Sequence, residues 1–222
     1  IKAGLTNQVK NTFLAGNCDG EPYTDVIMRA AAAEGVSPYV LASMIIQEIG
    51  VYGDSGSISG KVPGYEGYYN YFNVGAYASG NLTAIQKGLQ YAKGSGDYGR
   101  PWNTRYKAIA GGAQYYASGY IKKGQDTMYL KKFNVQGSNL YGHQYMTNVQ
   151  GAYSEGKLMS KAYDETARHG ALVFRIPVYK NMPDKPCVKP TGNSNPNYML
   201  KSLSVDGYNL TPSFSIHETS YD

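Results

Sequence analysis

Apolar residues recur at helical spacing along much of the chain, and the densest such stretch, residues 37–50, reads SPYVLASMIIQEIG. Pro38 suits a first helical position, where its missing N–H would have no partner. Ser37 before it can cap the helix, and Gly50 supplies a stop. Between them a single acid, Glu48, interrupts the apolar run in the last turn. Leu41, Met44 and Ile45 stand seven, four and three residues before it, so Glu48 shares their face.

The same reading predicts a helix from Thr24 through VIMRAAAA to Gly35, with Val26, Ile27 and Ala30 inward. A two-residue link then makes an antiparallel or sharply angled helix pair. Further helices are expected from Asn81 or Thr83 to Gly94, over residues 104–121, from an Asp126 cap through TMYLKKF, and over most of residues 142–166. In the last of these, Val149, Ala152, Tyr153 and Met159 are core candidates. The pair Gly111–Gly112 weakens the middle of its helix or lets another backbone come close.

Several stretches lack a helical period. Residues 1–22 read as irregular, with Gly16, Asn17, Asp19, Gly20 and Pro22 crowded together. Residues 51–64, VYGDSGSISGKVPG, suit a mobile hairpin or lobe. The aromatic run YYNYFNVGAYAS that follows Glu66 reads as extended structure lining a groove beside Glu48. Residues 171–180 alternate as an edge strand, with Pro177 confining it there. Residues 181–197 read as a linker rich in Pro, Asn and Lys. Beyond it, Leu200, Leu203, Val205 and Tyr208 fall at strand positions.

Composition narrows the function. The 222 residues suffice for one sizeable core and a fragment of a second domain. No apolar run is long enough to span a membrane, and no signal peptide precedes Ile1, so the chain reads as a piece of something longer. The net charge of +5 suits an anionic setting such as a bacterial wall. Nucleic acid fits less well, because the Lys and Arg residues are scattered rather than clustered. Tyrosine is the outlier, at 23 residues against 5 Phe and 1 Trp. A ring with a hydroxyl can stack on a sugar face and hydrogen-bond its rim, or sit at a core boundary. The only tryptophan, Trp102, is a substrate-binding candidate. Cys18 and Cys187 have no histidine at zinc-ligand spacing. They form one long-range disulfide or remain free thiols.

Two motifs fail their context. GDSGS at 53–57 matches a serine-protease nucleophile stretch, but His143, His169 and His217 all follow Ser55, whereas that triad needs its His and Asp earlier. GSGDYG at 94–99 is formally G-x-G-x-x-G, yet a helix precedes it and Arg100–Pro101 follows, where a dinucleotide site needs a strand before and a helix after. His143 is a candidate base, although a lone His in a polar loop more often serves as a hydrogen-bonding residue.

Glu48 carries the chemistry. Burial disfavours the ionised carboxylate, and the negative end of the helix dipole disfavours it further. A carboxyl held protonated near neutral pH is what a glycosidase uses as general acid. A surface glutamate at a frayed helix end is the bland alternative.

Several ordered segments resemble the glucosaminidase family of peptidoglycan hydrolases, specifically clostridial-type autolysin catalytic domains. They are AAAEGVSPYVLASMIIQEIG, YYNYFNVGA, WNTRYKAIAGGAQYYASGYIKKGQDTMYLKKFNV and HQYMTNV, across roughly residues 20–165. The tail, LKSLSVDGYNLTPSFSIHETSYD, is similar to the opening of cadherin-like or Ig-like repeats. The resemblance implies a mainly helical α+β, lysozyme-like fold, with a helical lobe, a small mobile β-lobe and a sugar cleft between them. The domains implied are a catalytic one over residues 1–183, a linker over 184–197, and a truncated β-module over 198–222.

The resemblance further implies hydrolysis of the β-1,4 bond after N-acetylglucosamine in peptidoglycan glycan strands, by a secreted monomer at the bacterial cell wall. No cofactor, nucleic acid or membrane insertion is implied. It places the general acid at Glu48, in QEIG, the groove at Tyr71, Phe72, Asn73 and Gly75, and a late cleft tyrosine at Tyr145. The second carboxylate is Glu66 or Asp54, and Glu66 fits better because it abuts the groove segment. Cleavage of the other glycan linkage, as a muramidase or lytic transglycosylase, is the competing enzyme reading. A catalytically dead wall-binding module is the competing reading from another class.

Overall fold

In the computed structural model of the chain, the described residues are 1–145, 148–165, 178–181, 184–185, 197–206 and 209–217. They fall into two compact units, Ile1–Leu172 and Val173–Asp222. The first is mainly helical.

Its core forms around two helices. α2 (Tyr23–Glu34) begins after Pro22 and ends at Gly35, whose φ of 67° closes the left-handed cap. α3 (Pro38–Ile49) follows after a two-residue turn and ends at Gly50, with φ 89°. α2 packs on α3 and on α5 (Arg105–Gly119). Leu41, Met44 and Ile45 of α3 are all buried. Ser37 stands at the N-cap without a side-chain bond; the pyrrolidine of Pro38 leaves that turn one donor fewer to satisfy. Thr83 opens α4 (Ala84–Lys93) with a reciprocal capping box through Gln86. Thr104 caps α5. Thr127, not Asp126, caps α6 (Met128–Phe133), its hydroxyl accepting from the Leu130 N–H.

Three sequence expectations change. Residues 1–22 are not irregular: α1 (Lys2–Val9) buries Leu5, Gln8 and Val9, and β1 (Asn17–Cys18) pairs antiparallel with β2 (Glu21–Pro22). The hairpin turn uses Asp19 and Gly20, both at positive φ, so the residues that read as loop are those the turn needs. Of the helix expected across residues 142–166, the described residues form α7 (Gly151–Ser160). Val149 and Tyr153 are 71% and 70% exposed rather than in the core, because the buried face of α7 runs through Gly151 and Glu155.

The lobe between α3 and α4 is held mainly by turns and a short 3-10 segment at Gly56–Ile58. Its regular pairing is limited to a Ser79–Leu82 bridge. Asn70 takes the place of a ladder: its buried amide donates to the carbonyls of Val74 and Gly88 and accepts from the Val74 N–H. Arg105 ties lobe to helices, donating to the Ile58 carbonyl at 2.8 Å and pairing with Asp19 at 3.2 Å.

The second unit contains an antiparallel hairpin, β3 (Asn197–Asp206) and β4 (Asn209–His217), paired from Asn197↔His217 to Asp206↔Asn209 with an irregularity between Leu200 and Ser202. Leu200, Leu203 and Val205 lie on β3 as expected. Tyr208 and Cys187 lie outside the described residues, as does most of the expected strand at 171–180.

Candidate active site

Glu48 sits in the last turn of α3, where the helix emerges into a cavity of about 390 Å³. Met44 and Glu48 form its floor. Residues 72–76 and Ser55 supply the lobe side, and Ala84 and Ile85 the start of α4. Gly112, Tyr115 and Tyr116 of α5, with Tyr120 and Tyr145, complete the lining.

The carboxyl of Glu48 is partly buried and held at both oxygens. Asn73 donates its amide to Oε2 at 3.1 Å and to the Glu48 backbone carbonyl at 3.0 Å. Tyr145 points its hydroxyl at Oε1 from 3.4 Å. Asn73 adopts φ 49°, a left-handed conformation that asparagine tolerates better than most residues. Burial pushes the Glu48 pKa above the usual carboxylate range. The Asn73 bond opposes this, the Glu155 charge adds to it, and Tyr145 and Lys131 oppose it more weakly. Glu48 thus holds its proton to higher pH than an exposed glutamate while its carboxyl faces open space. That is the equipment of a proton donor.

Phe72, Asn73, Gly75 and Tyr145 therefore lie together around Glu48, as the sequence placed them. The remaining candidates do not. Tyr71 is 0% exposed; its hydroxyl meets that of Tyr23 at 2.7 Å and accepts from Arg105 at 3.0 Å. It is a core strut, because its hydroxyl is satisfied by Tyr23 and Arg105 inside the core, whereas Phe72 lines the cleft. Trp102 is also 0% exposed, donating its indole N–H to the Tyr98 carbonyl at 2.8 Å. Its ring occupies the space left by Gly111, where an added Cβ would lie 2.1 Å from Nε1. Glu66 is exposed and does not line the cavity. Its Oε1 accepts from the Gly64 N–H at 3.1 Å, and backbone bonds hold its pKa below the usual range. Its chemistry closes a turn.

Asp54 is exposed, beside the cavity-lining Ser55. Glu48 is the one carboxylate among the described residues that lines the cavity. His143 stacks on Tyr120 at 4.5 Å and shares a 2.8 Å hydrogen bond with Gln125, the hydrogen-bonding role its loop setting suggested. Among the described residues no group of three or more His, Cys, Asp or Glu is arranged to hold a metal, and no helix is long and apolar enough to cross a membrane. Cys18 is buried beneath α2, and burial pushes its thiol up to about 11, so it is a poor nucleophile at neutral pH.

The sequence reading missed the tyrosine wall and an ion pair behind it. Tyr116 stacks on Tyr120 at 5.8 Å, and Tyr145 meets Tyr120 edge-on at 5.3 Å. Behind Tyr145, Lys131 and Glu155 pair with both side chains 1% exposed. A signal for Glu155 did exist: it lies three residues after Ala152 and four before Met159, on the face marked for the core.

No protein-family model matches the chain. It is 31% identical over 183 residues to a bifunctional autolysin of Staphylococcus epidermidis, and 31% identical over 177 residues to one of Staphylococcus aureus. These alignments cover 79% and 77% of the chain, which spans 13% of the length of either relative. Among solved structures it is similar to a catalytic mutant of S. aureus autolysin E in complex with the disaccharide NAG-NAM, at 25% identity and a TM-score of 0.56. It is also similar to S. aureus autolysin E in complex with the muropeptide NAM-L-Ala-D-iGlu, at 28% identity and a TM-score of 0.55. Each match covers 73% of this chain and 66% of the other.

Proposed function

The chain belongs to the glucosaminidase family of peptidoglycan hydrolases, and from that premise we propose that it is an endo-β-N-acetylglucosaminidase. It cleaves the β-1,4 bond after N-acetylglucosamine in glycan strands, with Glu48 as general acid. The observation that carries this reading is the Glu48 carboxyl itself: protonated beyond the ordinary range, held by Asn73 and Tyr145, and open to a cavity walled by tyrosine rings. Phe72, Asn73 and Gly75 contact the sugar. Two similar structures hold fragments of peptidoglycan, which supports the substrate class.

In this mechanism Glu48 gives its proton to the glycosidic oxygen as the bond to the anomeric carbon breaks. Positive charge then builds on that carbon and the ring oxygen. The substrate's own acetamido oxygen bonds to the anomeric carbon, held and polarised by Tyr145. Water, giving up a proton to the Glu48 carboxylate, opens that ring with net retention of configuration. The position of Glu48 as the one described carboxylate on the cavity wall supports this route over attack by a second carboxylate. Asp54, next to Ser55, is the acid that serves if a water is activated instead.

The enzyme works as a secreted monomer in the bacterial wall. Residues 1–183 form its catalytic domain, residues 184–197 a linker, and residues 198–222 belong to a cadherin-like or Ig-like module. Mass spectrometry of digested wall tests the linkage. New reducing ends on N-acetylglucosamine are expected. Reducing muramic acid would assign a muramidase, and anhydro-muramic ends a lytic transglycosylase.

A further inference from the structure

Lys131 on α6 and Glu155 on α7 form an ion pair, Nζ to Oε1 at 2.6 Å, and the proposed hydrolysis uses neither. Two charges buried this completely lose their hydration, and apolar replacements of similar volume are often as stable or more so. Stability alone is therefore a poor account of the pair. Its surroundings supply a better one. The Lys131 ammonium lies 4.2 Å from the centroid of the Tyr145 ring and 5.5 Å from that of Tyr116. The Lys131 carbonyl accepts the Tyr145 N–H at 3.1 Å. The Tyr145 hydroxyl in turn reaches Glu48. One line of contacts thus runs from α7 through α6 to the end of α3.

We propose that Lys131 and Glu155 are positioning residues of the cleft: their buried pair holds the Tyr145 ring from behind and so aims its hydroxyl at the Glu48 carboxyl. The proposal rests on the reading of Glu48 as general acid. Without Glu155, burial would disfavour the Lys131 ammonium. With it, the ammonium stays against the Tyr145 π-face, an attraction that strengthens out of water.

The pair also sets the field at Glu48. The titratable and charged groups facing that carboxyl are Lys131 from α6, Glu155 from α7, Tyr145 from the segment between them, and Tyr115, Tyr116 and Tyr120 across the cavity. Glu155 favours the protonated form of Glu48 and Lys131 the ionised form, and the influence of Glu155 is the larger. Removing one partner at a time must therefore move Glu48 in opposite directions.

The test titrates Glu48 by NMR in protein labelled at the glutamate carboxyl carbons, with the resonance assigned by its loss in Glu48→Gln. Relative to wild type, Lys131→Met raises the midpoint and Glu155→Gln lowers it. In wall hydrolysis both lower kcat by about 10- to 100-fold, the cost of a misplaced catalytic contact, with KM little changed. Should either single variant fail to fold, the double variant K131M/E155L carries the test. It melts at or above wild type and shows the same fall in kcat. A folded variant with an unmoved midpoint and wild-type kcat overturns the proposal. A wild type that leaves cell wall intact overturns the glucosaminidase reading instead, and the Tyr145 ring resonances, shifted in K131M/E155L if the pair positions that ring and unmoved if it does not, then decide this inference.

Discussion

The side-chain amide of Asn73 donates to both the backbone carbonyl and the carboxyl Oε2 of Glu48, at 3.0 and 3.1 Å. One residue of the lobe thus closes the end of α3 and fixes its acid. The double attachment explains why Asn73 occupies a left-handed conformation.

Asn73→Gly keeps that conformation open while deleting the amide. The Asn73 bond favours ionised Glu48, so its loss shifts the pH at which Glu48 gives up its proton upward. The alkaline limb of kcat/KM against pH is expected to move to higher pH, with a lower plateau as the acid loses its aim. A pH–rate profile on soluble glycan checks this.

Raising the folded-state pKa of a carboxyl stabilises the fold below the unfolded value and loses that stabilisation as pH rises through the folded value. Glu48 is such a group, so its ionisation in place costs stability at alkaline pH. Glu48→Gln, which cannot ionise, is expected to gain Tm relative to wild type as pH rises from acid to alkaline. A gain of about 1 kcal/mol corresponds to about 2–4 °C for a chain of this size. Thermal melts across that pH range test it, and a constant difference from acid to alkaline pH counts against it.

Gly111 and Gly112 make neighbouring but separable predictions. A Cβ on Gly111 would meet the Trp102 indole and the Tyr98 carbonyl at 2.1 and 2.3 Å, inside the core. Gly111→Ala is expected to cost about 1–3 kcal/mol by overpacking. A Cβ on Gly112 would lie 1.9 Å from the Phe72 ring, which lines the cleft. Gly112→Ala should therefore also raise KM by displacing Phe72. Denaturant melts and steady-state kinetics on the two variants separate these effects.

Glu66→Gln is expected to leave activity within about twofold of wild type, as for a surface substitution away from the chemistry, because the Glu66 side chain holds a turn outside the cavity. Asp54→Asn is the sharper probe. The acetamido route predicts a loss of less than about tenfold, whereas a general base removed costs about 10²-fold or more. Rates on isolated wall give the answer.

The central helix was legible because its signals are local: Pro38 and Gly50 bound it, and Glu48 falls on the face of Leu41, Met44 and Ile45. The close approach at Gly111–Gly112 was legible for the same reason. The fates of the aromatics were not. Whether a ring lines a cleft or fills a core depends on distant partners. Trp102 needs Gly111 to make room, and Tyr71 needs Tyr23 and Arg105 to satisfy its hydroxyl. The Lys131–Glu155 pair was hidden because Lys131, read alone, looks like an ordinary charge on a solvated helix face, and the place of Glu155 on a core-marked face names no partner for it. The first twenty-two residues were obscured by turn-forming residues that serve a short hairpin.

The most direct measurement is the fall in turbidity of a cell-wall suspension with wild type and with folded Glu48→Gln at equal concentration. The variant keeps the shape of the side chain and lacks the proton. Wild-type lysis with a loss of about 10²-fold or more in the variant is the expected result. Lysis by Glu48→Gln at the wild-type rate would contradict the account.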